Sequence, residues 1–183
     1  MVSREHLLEI FGEDTVLLPF EALPEDVRLR PSGQTLTHTG LPENLLDAIT
    51  SVPGLENGAK TYGEHCEDVG IESDARIHAM YRIGLAGTGS ILVEPVTGDV
   101  IYADTEADTV CRVNTSVEKY VEFLCLLEKG RECFDFLDEE EVTVQRNKLS
   151  DLLRKADENT WCTASAFWRW VIAQISADDY RVF

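Results

Sequence analysis

Across residues 76–83 the chain alternates in steps of two, with Ile77, Ala79, Tyr81 and Ile83 opposed to Arg76, His78, Met80 and Arg82. That period predicts a strand with one face turned inward. Gly84, Gly87 and Gly89 predict a turn over residues 84–90, and Ile91, Leu92 and Val93 begin a second strand. Val96-Thr97-Gly98-Asp99 supplies the next turn, Val100-Ile101-Tyr102 a third strand, and residues 110–113 a fourth. Connections this short predict antiparallel pairing, because a parallel crossover needs about a dozen residues. The period then changes. Val117, Tyr120, Val121, Leu124 and Leu127 share one helical face, behind Thr115 and Glu118 at capping-box spacing. Leu149, Leu152, Leu153 and Ala156 form a later amphipathic stretch, and Phe167, Trp168, Val171, Ile172 and Ile175 another.

The first third is less regular. Ser3 is placed to cap a helix through Leu7, Leu8 and Phe11, with Gly12 ending it. Residues 15–20 read as a short strand. Leu45, Leu46 and Ile49 read as a short helix stopped before Pro53-Gly54. Residues 55–74, acidic and dotted with glycine, read mainly as loop. Together the pattern predicts an α+β fold: a central, mostly antiparallel twisted sheet flanked by helices, with a helical C-terminal third.

Charge changes the picture. Asp and Glu total 34 against 16 Lys and Arg, a formal net charge of −18 over 183 residues. That field repels nucleic acid and anionic membranes and draws in cationic partners; it also serves solubility. A hydrophobic fraction of 44% is that of a folded chain, and we read residues 1–183 as a single domain. The amino-terminal residues lack the apolar core of a signal peptide, and no apolar run nears the roughly 18 residues that span a bilayer. Cys66, Cys111, Cys125, Cys133 and Cys162 are odd in number and have no paired spacing. Free thiols in a reducing cytoplasm follow, with Cys125 an inert thiol inside a helical stripe.

No catalytic constellation emerges. Gly84, Gly87 and Gly89 precede a strand, whereas a phosphate-cradling loop precedes a helix. Asp104, Glu106 and Asp108 alternate like a calcium loop, but Thr109 stands where glycine is required and Thr115 where the closing Glu belongs. His65-Cys66 are adjacent, a poor geometry for a nucleophile and its base. No metal or cofactor is expected. The candidate contacts are instead the acids Glu64, Glu67, Asp68, Asp104, Glu106, Asp108, Asp138, Glu139, Glu140 and Glu141, with Trp161 as an aromatic anchor. Trp168 fits the core stripe, while Trp161 or Trp170 is open to a contact. For residues 138–141 a second reading stands beside docking, since carboxylates favour a helix start.

Several segments, in order, resemble the SUKH superfamily of bacterial toxin-immunity proteins, most closely its fourth family. They are Thr39-Gly40-Leu41-Pro42, Tyr81-Arg82-Ile83-Gly84, Ile91-Leu92-Val93, Thr97-Gly98-Asp99-Val100, Val113-Asn114-Thr115-Ser116 with Phe123 and Leu124, and Phe167-Trp168. The resemblance implies a mixed sheet flanked by helices and a cytoplasmic antidote that binds a toxin, often a nuclease or deaminase. Its motifs are structural: Gly40 and Pro42 shape a turn, Gly98 a hairpin, and Thr115 or Ser116 a helix cap. It implies no contact residue, because toxin contacts differ between members. With −18 on the chain, a cationic toxin is the expected partner. A regulatory interaction module of the same fold and a metal-dependent hydrolase with dispersed carboxylates are the alternatives.

Overall fold

The computed structural model describes residues 2–178 except 46, 47 and 136, with side chains left out at 26, 162, 163 and 178. Leu46 and the Cys162 side chain, both named above, lie outside the described residues. Ser3 accepts a hydrogen bond from the His6 amide and opens α1 (Arg4–Phe11), and Gly12 closes it. A two-stranded ribbon pairs β1 (Thr15–Val16) with β2 (Leu41–Pro42). The strand expected over residues 15–20 stops early, because Pro19 enters a single 3-10 turn at Phe20–Ala22. Short helices α2 (Glu25–Arg28) and α3 (Pro31–Gln34) follow, and a wide helical turn, Thr35–Thr39, leads into β2. Gly40 makes that junction at φ 88°, where a Cβ would sit 2.6 Å from the Val16 carbonyl oxygen. Only glycine fits there.

The main sheet has six strands in sequence order, every neighbouring pair antiparallel. They are β3 (Asn44–Leu45), β4 (Ile49–Ser51), β5 (Tyr81–Ala86), β6 (Gly89–Val93), β7 (Val100–Asp104) and β8 (Thr109–Asn114). The meander and its antiparallel sense match the expectation. Its first two strands do not. Leu45 and Ile49 form a hairpin rather than a helix, since Ile49, Thr50 and Ser51 pair with Ala86, Leu85 and Gly84. A waiting sheet edge outweighs a weak helical period.

The turn expected over residues 84–90 is also displaced. β5 continues through Gly84 and Ala86, and the chain reverses at Gly87, φ 56°. Conversely, the alternation from residue 76 overreaches, because the strand begins only at Tyr81. The Asp74 carboxylate accepts from the Arg76 amide at 2.8 Å and the Asp74 carbonyl from Ile77, which folds residues 74–77 into a turn. The acidic stretch taken as loop holds α4 (Tyr62–Val69), opened by a complete capping box between Thr61 and Glu64. Its first amides donate to the carbonyls of Met80 and His78, closing the polar groups of the segment before β5.

Helices α5 (Val117–Arg131), α6 (Glu139–Ala156) and α7 (Glu158–Asp178) complete the chain. Ser116, not Thr115, caps α5 by accepting from the Lys119 amide. The strand alternation gives the sheet two inner faces. Ile91, Val93, Val100 and Val113 join the large core made with α5 and α7, whereas Leu92 and Ala103 join Tyr62, Cys66 and Ile77 in a smaller core under α4.

Two groups fasten α7. The β7–β8 register slips at Val113, and the Trp168 indole donates to its carbonyl at 2.9 Å while packing edge-on to Phe167. At the α6–α7 junction the buried Asp157 carboxylate accepts from the Thr115 amide (2.9 Å), the Thr115 hydroxyl (3.0 Å), the Thr160 hydroxyl (2.8 Å) and Asn114 (3.5 Å). Trp168→Phe keeps most of the volume but orphans the Val113 carbonyl. We expect a loss of about 1–3 kcal/mol in urea unfolding, with the native circular dichroism unchanged.

The thiols differ by burial. Desolvation pushes Cys125 up to about 11, and burial also raises the half-buried Cys111, whereas Cys133 is exposed. In the native protein, iodoacetamide at mildly alkaline pH should alkylate Cys133 well before Cys125 or the buried Cys66. Peptide mapping by mass spectrometry reads the order.

Candidate functional site

The β7–β8 turn gathers three of the expected acids, Asp104, Glu106 and Asp108. Asp104 is 8% exposed and turns back on its own loop. Its carboxylate accepts from the Thr88 hydroxyl at 2.7 Å and from the Glu106 and Ala107 amides at 3.1 Å. The Thr88 bond first, then the amides, hold its carboxyl below the usual carboxylate range. Asp104 is therefore the residue that shapes the turn. Asp108 adopts φ 45°, a left-handed conformation Asp tolerates, and its side chain is 92% exposed.

The segment before β5 lies against this turn. Arg76 forks onto Asp74 at 2.6 Å and reaches Asp108 at 3.4 Å. The Arg76 hydrogen bond holds the Asp74 carboxyl below its ordinary value. Glu72, Asp74, Asp104 and Asp108 line one cavity of about 310 Å³ with Arg76 as its one base. Among the described residues no group of three acidic, His or Cys side chains is placed to hold a metal ion. The cavity is an acidic surface.

The same two strands also border an apolar cleft of about 370 Å³, lined by Tyr102, Thr109, Cys111, Ala166, Phe167 and Trp170. Tyr102 and Phe167 rings meet at 4.9 Å, and Phe167 and Trp170 at 6.0 Å. Trp170 is 37% exposed and abuts Gly87 in the β5–β6 turn. Trp161, by contrast, is 8% exposed and packs in the large core. The sequence holds the signal that separates them. Trp161, Ala164, Trp168, Val171 and Ile175 follow one helical stripe, and Trp170 falls off it.

The remaining candidates are distributed elsewhere. Glu64 is spent on the α4 cap, Asp68 pairs with Lys60 at 2.6 Å, and Glu67 is exposed. Tyr62 reaches Thr105, so α4 stands beside the acidic turn. Asp138 caps α6 by accepting from the Glu140 and Glu141 amides, with Glu141 returning to the Asp138 amide. Glu139, Glu140 and Glu141 are exposed, and this helix start lines a separate cavity with Leu137 and Lys148. Glu72 and Asp74 are the additions that the structure makes, and of the two tryptophans left open to a contact the exposed one is Trp170.

Among the described residues no helix is long and apolar enough to cross a membrane. A family model described as SUKH-4 immunity protein matches residues 2–174. No curated protein and no solved structure matches the chain.

Proposed function

The chain belongs to the SUKH-4 immunity protein family, and on that premise we propose that it is a cytoplasmic antidote that binds a cationic toxin domain and occludes its active site or substrate groove. It acts by binding as one domain, without catalysis or cofactor. The reading is carried by one juxtaposition: an acidic cavity and an aromatic cleft share the β7–β8 end, where the Tyr102 hydroxyl of the cleft donates to Asp104 of the cavity at 3.4 Å. The acids steer and orient a basic partner, and Trp170 supplies the apolar anchor that holds it.

Even spreading of −18 over 9761 Å² gives between one and two excess charges per footprint of roughly 800 Å². The acidic cavity alone concentrates four acids against one base. Glu106 adds to the same tip. A nuclease or deaminase domain, whose substrate groove is built to attract phosphates, has the complementary charge. The test is survival: co-expression of this chain with the toxin domain encoded beside its gene should restore growth, and failure to protect would overturn the reading.

A further inference from the structure

A pocket of different character lies between α4 and β5. Arg82 lies half-buried on β5, its Nε donating to the Ser90 hydroxyl at 3.0 Å. Among the described residues no carboxylate forms an ion pair with it, in a chain where acids outnumber bases two to one. Desolvation lowers its pKa, the signature of a cation short of compensation. Arg82 opens into a cavity of about 370 Å³ shared with Lys60, His65 and Asp68 and walled by Val52, Pro53 and Leu55.

The lining fixes the charge of a guest. Lys60 and Asp68 pair at 2.6 Å and cancel, leaving the Arg82 charge uncompensated. Burial first, then the Arg82 charge, holds His65 below its ordinary 6.5, so it is a neutral imidazole at neutral pH. One unpaired guanidinium calls for a monoanion whose oxygens accept its forked N–H groups. A phosphate dianion would overcompensate and face Asp68 at the rim. The apolar walls call for a short aliphatic group behind the anion.

We propose that this pocket binds a carboxylate on a short aliphatic stem, paired to Arg82 and packed against Val52, Pro53 and Leu55. A free small acid and an Asp or Glu side chain of a docked protein present the same chemistry. The site is separate from the β7–β8 end, and the proposal does not depend on the toxin reading.

Arginine-selective NMR of the isolated protein tests it, with butyrate, butyramide and inorganic phosphate as probes. Butyrate should shift the Arg82 Nε–H and, in the amide spectrum, the Gly58 amide of the pocket wall saturably. Butyramide should leave them unmoved, and phosphate should bind at least about tenfold more weakly. Arg82→Gln retains a donor for Ser90 and should weaken butyrate about tenfold or more. Should that variant not fold, the butyrate–butyramide contrast in the native chain decides alone. Equal response to butyramide, or no saturable shift at Arg82, overturns the proposal. Repeating the titration in the toxin complex separates the sources. A butyrate response lost there means the partner supplies the carboxylate, and one retained means a free acid does. Because the first titration uses the chain alone, its failure leaves the toxin reading standing.

Discussion

Asp157→Ala is expected to lower the unfolding free energy by about 3 kcal/mol or more, enough to abolish a marginal fold. The carboxylate stands where three elements meet: the α6–α7 junction that carries it, the end of β8 and the start of α5. Burial pushes its pKa up, but the Thr115 amide, the Thr160 and Thr115 hydroxyls and Asn114 together outweigh that and hold it below the ordinary 3.8. Removing it strands several buried donors at once. Asp157→Asn, which keeps one acceptor oxygen, should cost less than alanine.

The same depression fixes a pH dependence. A carboxyl whose folded pKa lies below its unfolded value contributes its full stability above 3.8 and loses it as pH falls through the folded value. Urea unfolding across that range should show the native chain losing stability more steeply than Asp157→Asn. Parallel slopes would show that the carboxylate is not held as described.

The second large effect concerns the partner. Reversing charge at the turn with Glu106→Lys and Asp108→Lys should slow association with the toxin domain by about tenfold or more at low salt. Stability should fall by about 1–2 kcal/mol at most, because both side chains are exposed and the Asp108–Arg76 pair is a surface contact, while Lys takes the left-handed backbone at position 108 less readily than Asp. Asp104 is left intact in this test, since the turn depends on it. Trp170→Ala removes an anchor rather than a field. It should speed dissociation and weaken affinity about 30-fold, the cost of a hot-spot aromatic, with little change in association rate. Stopped-flow association and surface-plasmon dissociation separate the two.

Legibility followed the strength of local signals. The α5 stripe and the β6–β7–β8 run were readable because burial on one face imposes a strict period. The β3–β4 hairpin was not readable. Its strands are two and three residues long and exist because β5 offers a paired edge. Helix α4 carried its own signature, Thr61 with Glu64, inside a stretch whose glycines and acids suggested loop. The alternation at residues 76–80 was real, yet it reports Ile77 reaching the small core through a turn rather than a strand.

The candidate surface divided in the same way. Exposed acids such as Asp108 were readable from composition and turn context. The inward use of Asp104 was not, since its partners Thr88, Glu106 and Ala107 meet only in the folded hairpins. Trp170 was readable from helical phase, which sets it off the stripe that Trp161 shares. Its placement beside Phe167, in a cleft shared with Tyr102, required the register of the sheet against α7. Net charge stated that a basic partner would be drawn in, and the fold supplied a place where acids and an aromatic surface coincide.

The central claim is that the β7–β8 end seats a cationic toxin. Isothermal titration of this chain with the toxin domain encoded beside its gene, at low and high salt, tests it most directly. The expected result is saturable one-to-one binding that weakens with salt, weakens further in the Glu106→Lys, Asp108→Lys double variant, and weakens in Trp170→Ala at both salts. Binding that leaves all three substitutions without effect, or no binding at all, would contradict it.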